Sequence, residues 1–450
     1  MNLQQLKEAL FARGAALGFT DMEVAYQSTN RFNSNIFKGE IDRYTIAVDG
    51  GLAFRGRLNG QMGYAYTELI DDSAVELLVN GAMASSTVID SAEAEPLYAG
   101  PFDYENLNLF DEQIAQVTPE ERIAWLKRVD SACYAVDPRV ALVNYCQTEA
   151  VAVERMIANT NGLDRSEKIN RAVLVVGVVV RENGDSKTAY HFVPVVDLAS
   201  VDPEAVARKV VGEALSYLGA EPLESGTYPI LLRNDAAGEL LAAFTSIFYA
   251  ENVQKGRSLL KGRLGEAVAS EALTLVDDPF LPGGFASRSF DSEGVPSRRI
   301  SLIDAGKLNS FLYNLKTAAV DGVASTGHGA KASYKGAVAI SPSNLYVKPG
   351  ARSFDEMVAA TGEGVIITSL QGLHSGTNPV SGDFSLAASG YYVKDGKVVR
   401  PVNQITVAGN FFTVLKEIEE VGADLEFSPG GAGYLGSPTL RVKGLAVAGK

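Results

Sequence analysis

At 450 residues, 46% hydrophobic and 21% charged, the chain has the makeup of an ordinary globular protein and the length for two or three domains, with no need of disulfide staples. A formal net charge of −14 repels phosphate backbones, so no DNA partner is expected without a local basic face. The two cysteines, Cys133 and Cys146, show no metal-type spacing and no disulfide framework, which suits a reducing, cytoplasmic compartment.

The chain opens with LQQLKEALFARGAAL, whose Leu3, Leu6, Leu10 and Leu17 predict an amphipathic helix over about 2–17 and carry no signal-peptide pattern. Alternating, β-rich sequence follows from 22 to 67, turned at Asn59-Gly60, and a second helix is predicted from Asp72-Ser73. Thr118-Pro119-Glu120-Glu121 supplies an N-cap, a first-turn proline and a capping-box glutamate for a third helix. Strands then run from about 140 to 196, with turns at Asn161-Gly162 and Asn183-Gly184, and Asp202-Pro203-Glu204 starts another helix. The longest apolar run, 172–180, is far too short to cross a bilayer and reads as a buried strand, so no membrane partner is expected. Helix, meander, helix thus occurs twice, which suggests a two-part duplication, 1–100 and 101–222.

EPLESGT, 221–227, breaks every apolar period and sets the domain boundary. Beyond it, YPILLRNDAAGELLAAFTSIFYA is a short strand that turns at 233–235 into an amphipathic helix, with Asn234-Asp235 as helix-start chemistry. The remainder is glycine-rich and strand-like, over 273–276, 298–303, 337–340, 344–347, 364–369, 390–393 and 402–408, with a further helix over about 410–421. The predicted fold class is α+β: an N-terminal α+β domain, 1–222, and a mostly-β domain, 228–450, built on the strand–helix pivot.

Chemistry has few places to sit. The three histidines, His191, His328 and His374, lie too far apart for a paired-histidine zinc site from local sequence. His191 sits in an alternating strand, whereas His328 and His374 sit in glycine-rich loops where backbone can approach a ligand. The second loop, LQGLHSGTNPVSGDFS, crowds His374, Ser375, Gly376, Asn378 and Asp383 between apolar strands. Its plainer reading is a set of side-chain-stabilised turns, its sharper one a ligand-facing surface. The basic run Lys255, Arg257, Lys261 and Arg263 reads as a solvated loop. Gly431-Ala432-Gly433-Tyr434-Leu435-Gly436 matches GxGxxG, but Pro438 breaks the helix a nucleotide site requires, and Ser258-Leu259-Leu260-Lys261 matches SxxK at a frequency expected by chance.

Several ordered blocks nevertheless carry a resemblance. The pivot, then KGRSLLKGRLGEAVASEALTLVDDPFLPGG, FDSEGVPSRRISLIDAGKLNSFLYN, GLHSGTNPVSGDFSLAASG and PVNQITVAGN, resembles the TldD/PmbA family of peptidase-complex proteins, once described as modulators of DNA gyrase. In the catalytic TldD-like branch, the helix after the pivot carries HExxxH, two metal-binding histidines and a general-base glutamate. Those positions here are Asn234, Asp235 and Glu239. That branch also takes a ligand from a cysteine near its C terminus, where this chain reads FSPGGAGYLGSP.

The resemblance therefore implies the PmbA (TldE)-like branch: a non-catalytic partner subunit of a TldD/TldE-type metallopeptidase complex acting on unfolded peptides and leader segments. No metal and no catalytic residue are expected in this chain, with zinc in the TldD-like partner. A homodimer is expected when the chain is alone. The chamber-facing candidates are His374, Ser375, Gly376, Asn378, Asp383 and His328. The alternatives are a self-sufficient hydrolase with an atypical site and a homodimeric peptide- or protein-binding protein of the gyrase-modulator type.

Overall fold

The alternating N-terminal sequence folds into strands far longer than the usual five or six residues. In the computed structural model, which describes residues 1–88, 95–195, 198–429 and 433–450, helix α1 (Leu3–Ala16) leads into β1 (Thr20–Phe37), β2 (Glu40–Leu58) and β3 (Gln61–Thr67), and helix α2 (Ser73–Ser86) follows. After a short helix α3 (Glu112–Gln116) comes helix α4 (Pro119–Val136), with strands β4 (Val140–Asn159), β5 (Asp164–Glu182) and β6 (Asp185–Val195) and helix α5 (Pro203–Ser216). All six strands form one antiparallel sheet in the order β3-β2-β1-β4-β5-β6. The two meanders meet where β1 pairs with β4, from Glu23↔Asn159 to Asn35↔Gln147. Local chemistry accounts for the ends: Asn59-Gly60 and Asn183-Gly184 take positive φ at both positions, and Thr118 and Glu121 make the reciprocal capping box of α4.

Helices cover one face of this sheet. Leu6, Leu10, Leu78 and Val79 bury against Val24, Leu52 and Phe54, while Trp125, Leu126, Val206 and Val210 bury against Leu174, Val176, Val178 and Val180. The intervening Val173 is half-buried on the opposite face, so the continuous apolar run in β5 serves both sides of the sheet. That helix-free face receives a loop from the C-terminal half. Arg155 donates to the Phe290 carbonyl at 2.7 Å, the Ser289 hydroxyl to Glu167 at 2.7 Å and the Tyr104 hydroxyl to the Gly294 carbonyl at 2.6 Å. Beside them Arg55 forks onto Glu23 at 2.8 and 3.0 Å, both buried, with Lys331 Nζ 3.9 Å from the same carboxylate.

Strand β7 (Gly226–Leu232) starts a different architecture. It pairs in parallel with Glu363–Gln371 and antiparallel with Leu440–Ala448. The strands Asp383–Lys394 and Lys397–Asn410 continue the sheet, and Thr406↔Ala448, Val407↔Val447 and Ala408↔Ala446 close it into a five-stranded barrel, removing its edges. Ile230 and Leu232 join the main core with Val365, Ile367, Val407 and Val442; Leu231 and Ile366 pack on Met357 and Val358 of the helix Phe354–Ala359. At Gly390 an added Cβ would stand 1.8 Å from the Ile366 carbonyl oxygen, so the wall admits no side chain there. A second six-stranded sheet runs Lys307–Leu308, Ile300–Asp304, Leu275–Asp277, Asn344–Val347, Tyr434–Ser437, Glu426–Pro429.

Helix α6 (Asn234–Phe244) leaves β7 and lies between the barrel strand Glu363–Gln371 and the Tyr434–Ser437 and Glu426–Pro429 edge of the second sheet. Leu240, Leu241 and Phe244 enter the main core, and Phe244 stacks on Phe411 with ring centroids 4.5 Å apart. Two helices differ from the sequence reading. The helix expected over 233–250 stops at Phe244, passes through the 3-10 turn Thr245–Phe248 and restarts as Ala250–Gln254; the Thr245 hydroxyl bonds back to the Leu241 carbonyl at 2.7 Å, a contact that tightens a helix end. The helix expected over 410–421 ends at Glu417, because Ile418–Val421 pairs with Leu440–Ala448 instead. Ile418 and Val421 bracket two glutamates, a spacing that reads equally as helix or strand until a partner strand decides it.

Because Phe244 is fully buried where helix, barrel and Phe411 meet, Phe244→Ala is expected to cost about 3–5 kcal/mol of unfolding free energy. Urea denaturation checks this; a loss under about 1 kcal/mol would mean that the aromatic stack does not anchor α6.

Candidate functional site

The start of α6 is where β7, α6 and helix α5 of the N-terminal half come together. Arg233 stands at the N-cap position with no side-chain cap bond, and Asn234 is the first helical residue. Asn234, part of the expected helix-start chemistry, thus lies inside the helix and is not its cap. Its Oδ1 accepts from the adjacent Asp235 N–H at 2.8 Å, and its Nδ2 donates to the Asp424 carbonyl at 3.0 Å. Asp235 Oδ1 accepts the Ala236 N–H at 2.9 Å, so Asn234 and Asp235 each serve one exposed amide of the helix start.

Arg233 dominates the electrostatics. Its guanidinium grips both oxygens of Asp235, with Nε at 3.0 and 3.1 Å and Nη2 in a closer contact, and reaches Glu213 of α5 at 2.6 Å. The Tyr217 hydroxyl donates to Glu213 at 2.8 Å and shares a 2.5 Å contact with Thr368, while Tyr217 stacks on Tyr391 at 5.5 Å. Burial alone would lower Arg233, but Asp235 and Glu213 hold it above the ordinary guanidinium range. Burial raises Asp235 in spite of that partner. Glu239, one turn along, accepts the Leu370 N–H at 3.1 Å; burial pushes its carboxyl up to about 7, with the Leu370 bond pulling the other way and Asp235 adding to the rise.

Leu370 also ties α6 to the glycine-rich loop of His374 and Asp383. Strand Glu363–Gln371 runs into Gly372, at φ 81°, and then the helical turn Leu373–Gly376, which touches α6. His374, Ser375, Asn378 and Asp383 are exposed. Asn378 Oδ1 accepts from Val380 at 3.0 Å and Ser381 at 3.3 Å, its N–H donates to the Asp383 carbonyl at 2.8 Å, and Asn410 Nδ2 donates to the Asp383 carboxylate at 2.8 Å. The Asn410 and Ser381 bonds hold Asp383 below its ordinary range. The turns are thus internally stapled and leave the His374 imidazole at the surface.

The structure brings Asn234, Asp235, Glu239 and the His374 loop together, and it places His328 elsewhere. His328 is 1% exposed, with Nε2 2.9 Å from Asp277 and Nδ1 2.8 Å from Thr326, so its ring is a fixed part of the core beneath the second sheet rather than of any wall. His191 is half-buried on β6, where burial, with Lys209 adding, pushes its ring down to about 4. Gly431 and Ala432 of the rejected GxGxxG match lie outside the described residues. Among the described residues, no three His, Cys, Asp or Glu side chains converge as a metal cluster. Sequence reasoning missed Arg233, Glu213 and Tyr217. The one signal was an arginine at the strand–helix junction, and nothing local points from it to a glutamate twenty residues earlier on another helix.

Models for the PmbA/TldA metallopeptidase family match three stretches: domain 1 over 22–86, the central domain over 112–218 and the C-terminal domain over 225–449. The chain is 28% identical over 413 residues to metalloprotease PmbA of Escherichia coli O157:H7, covering 90% of this chain and 88% of that one. It is 26% identical to a metalloprotease TldD homolog of Haemophilus influenzae, over 91% and 89%. A Thermotoga maritima structure described as a candidate modulator of a DNA gyrase superposes with a TM-score of 0.92 at 30% identity, over 99% of this chain and 100% of that one. TldE from Thermococcus kodakarensis shares the fold, also at 0.92, with 22% identity and the same coverage. No helix among the described residues is long and apolar enough to cross a membrane.

The Glu239 geometry gives a pH test. A carboxyl raised from its unfolded value of about 4.3 to about 7 contributes stability that is complete below pH 4.3 and is lost as pH rises through 7. Glu239→Gln, which keeps an oxygen for the Leu370 N–H, is expected to match the parent at pH 4 and to exceed it by about 1–3 kcal/mol at pH 8. Paired thermal melts at the two pH values check this, and equal differences at both would show that the carboxyl titrates normally.

Proposed function

The chain belongs to the PmbA/TldD family, and from that premise we propose that it is the non-catalytic partner subunit of a TldD/TldE-type metallopeptidase complex acting on unfolded peptides and peptide leader segments. The observation that carries the reading is the state of the three motif positions. The Asn234 amide is committed to Asp424 and Asp235, Asp235 is clamped by a guanidinium, and Glu239 is turned to a backbone N–H. The positive charge at the helix start is the Arg233 side chain, fixed by two carboxylates. An amide, a carboxylate already paired with arginine and a carboxyl raised to about 7 do not fit zinc, which selects imidazole and thiolate donors. Peptide hydrolysis is accordingly assigned to a zinc-bearing TldD-like subunit.

What this chain adds is physical. Its barrel and second sheet supply a rigid wall, and the loop of His374, Ser375, Gly376, Asn378 and Asp383 stands exposed beside α6, where it can meet an extended peptide. Its turns are stapled before any ligand arrives, so little ordering is needed on binding. In the absence of its partner, the chain is proposed to form a homodimer.

One observation favours a second reading, a self-sufficient hydrolase: a Glu239 carboxyl near 7 has the proton affinity of a general acid or base at neutral pH. The two separate cleanly. Purified alone, the chain is expected to hold less than about 0.1 zinc per chain by elemental analysis and to leave an unfolded peptide intact, with cleavage appearing when a TldD-like protein from the same source is added. Chelator-resistant cleavage by the isolated chain that Glu239→Gln abolishes would establish the hydrolase instead. In the mixture, a His374→Ala and Asn378→Ala double variant is expected to lower cleavage about tenfold with assembly intact, and an unchanged rate would remove the loop from the site.

A further inference from the structure

The helix-free face of the N-terminal sheet and the loops facing it enclose a second feature, apart from α6. Between β4 and β5 on one side, and residues 285–292, Lys331 and Tyr434 on the other, lies an open cavity of about 540 Å³. That is the size of a small-ligand site. Its walls carry four cations, Arg155, Arg171, Arg288 and Lys331, and one carboxylate, Glu149.

The neighbours of these groups show which charges are answered. Arg155 is paired with Glu167, and Lys331 shares Glu23 with Arg55. Glu149 lies 3.3 Å from Arg31. Arg171 and Arg288 have no carboxylate within ion-pair distance among the described residues. Arg171 donates to the Ser287 carbonyl at 3.2 Å; Arg288 donates to the Gly327 carbonyl at 3.3 Å and the Ser341 carbonyl at 3.2 Å, and its Nε is buried with no acceptor among the described residues. Both contribute to the same cavity, and the Ser287 carbonyl that holds Arg171 belongs to the residue just before Arg288. Burial, with Arg155 and Arg288 adding and Glu167 opposing, pushes Arg171 down to about 10; burial also lowers Arg288, with Asp277 and Asp291 pulling the other way from beyond ion-pair distance.

Two half-satisfied guanidiniums in a walled space are costly unless an anion completes them. The guanidinium fork matches a planar carboxylate through two parallel hydrogen bonds. Gln27, Ser287, Ser292 and Ser341 add neutral polar groups, and the larger share of the lining is apolar or aromatic: Phe285 lies under Arg171 at 5.9 Å and packs on Phe192 at 6.1 Å and Tyr434 at 5.4 Å. We infer that this cavity is a carboxylate-binding subsite that takes the free C-terminal end of a short apolar peptide, held by Arg171 and Arg288. The anion follows from these two guanidiniums, which among the described residues bond only to carbonyls; the choice of a peptide rests on the family reading above.

The test uses the full chain without any partner, so its result is independent of whether a TldD-like subunit does the cleaving. Fluorescence anisotropy with an N-terminally fluorescein-labelled Ala-Ala-Val-Phe peptide is expected to show at least about tenfold tighter binding of the free acid than of the C-terminal amide. Arg171→Gln is expected to erase that preference and Arg171→Lys to leave an intermediate one, with melting temperatures recorded to show that both variants fold. Equal binding of acid and amide overturns the assignment. So does saturable binding of inorganic phosphate by calorimetry without discrimination between the two peptides, since that would mark a free-phosphate site.

Discussion

Burying one helix between a closed barrel and the edge of a second sheet is the constraint from which the site follows. Helix α6 must present Leu240, Leu241 and Phe244 to the main core while small residues such as Gly238 let the strand of Ser428 approach. With both flanks fixed, its first turn cannot move, and the exposed amides at that end favour negative charge beside them. Asp235 supplies it, and the cost of bringing a carboxylate into so enclosed a place is offset by Arg233, itself braced by Glu213 from α5. In this way the packing of the barrel half selects a charge arrangement that extends to helix α5 of the N-terminal half.

The elements that were legible in the sequence are those decided within a few residues. The Asn-Gly turns and the Thr118–Glu121 box depend on local backbone chemistry, and the structure has them as read. Chain closure was not legible: the barrel depends on β7 meeting residues more than two hundred positions away, and no periodicity in β7 names that partner. The same limit explains Ile418–Val421, where a strand some twenty residues further along decided between helix and sheet.

Site residues divided along the same line. His328 and His374 sit in loops of similar composition, yet one ring is locked between Asp277 and Thr326 and the other faces outward, a difference set by which strands lie behind each loop. That positions 234, 235 and 239 hold asparagine, aspartate and glutamate could be read directly from the sequence. That Arg233 is held there between two carboxylates could not, because the second of them, Glu213, arrives from another part of the fold. Net charge was similarly blind: a chain of −14 overall still gathers four cations around one cavity, since composition averages over surfaces that the fold keeps apart.

Barrel closure also carries a consequence for how the chain is made. Strand β7 and helix α6 leave the ribosome about two hundred residues before 440–448, the strand that lies beside β7 and seals the wall. Through that interval the apolar flank of α6 and the open side of β7 have no permanent cover. Pairing across such a span is slow to form and exposes aggregation-prone surface while it waits. The N-terminal sheet, whose strands pair with neighbours already synthesised, can be complete by then. Its helix-free face is then a ready platform for the 285–296 loop, which can dock there well before the last strand arrives.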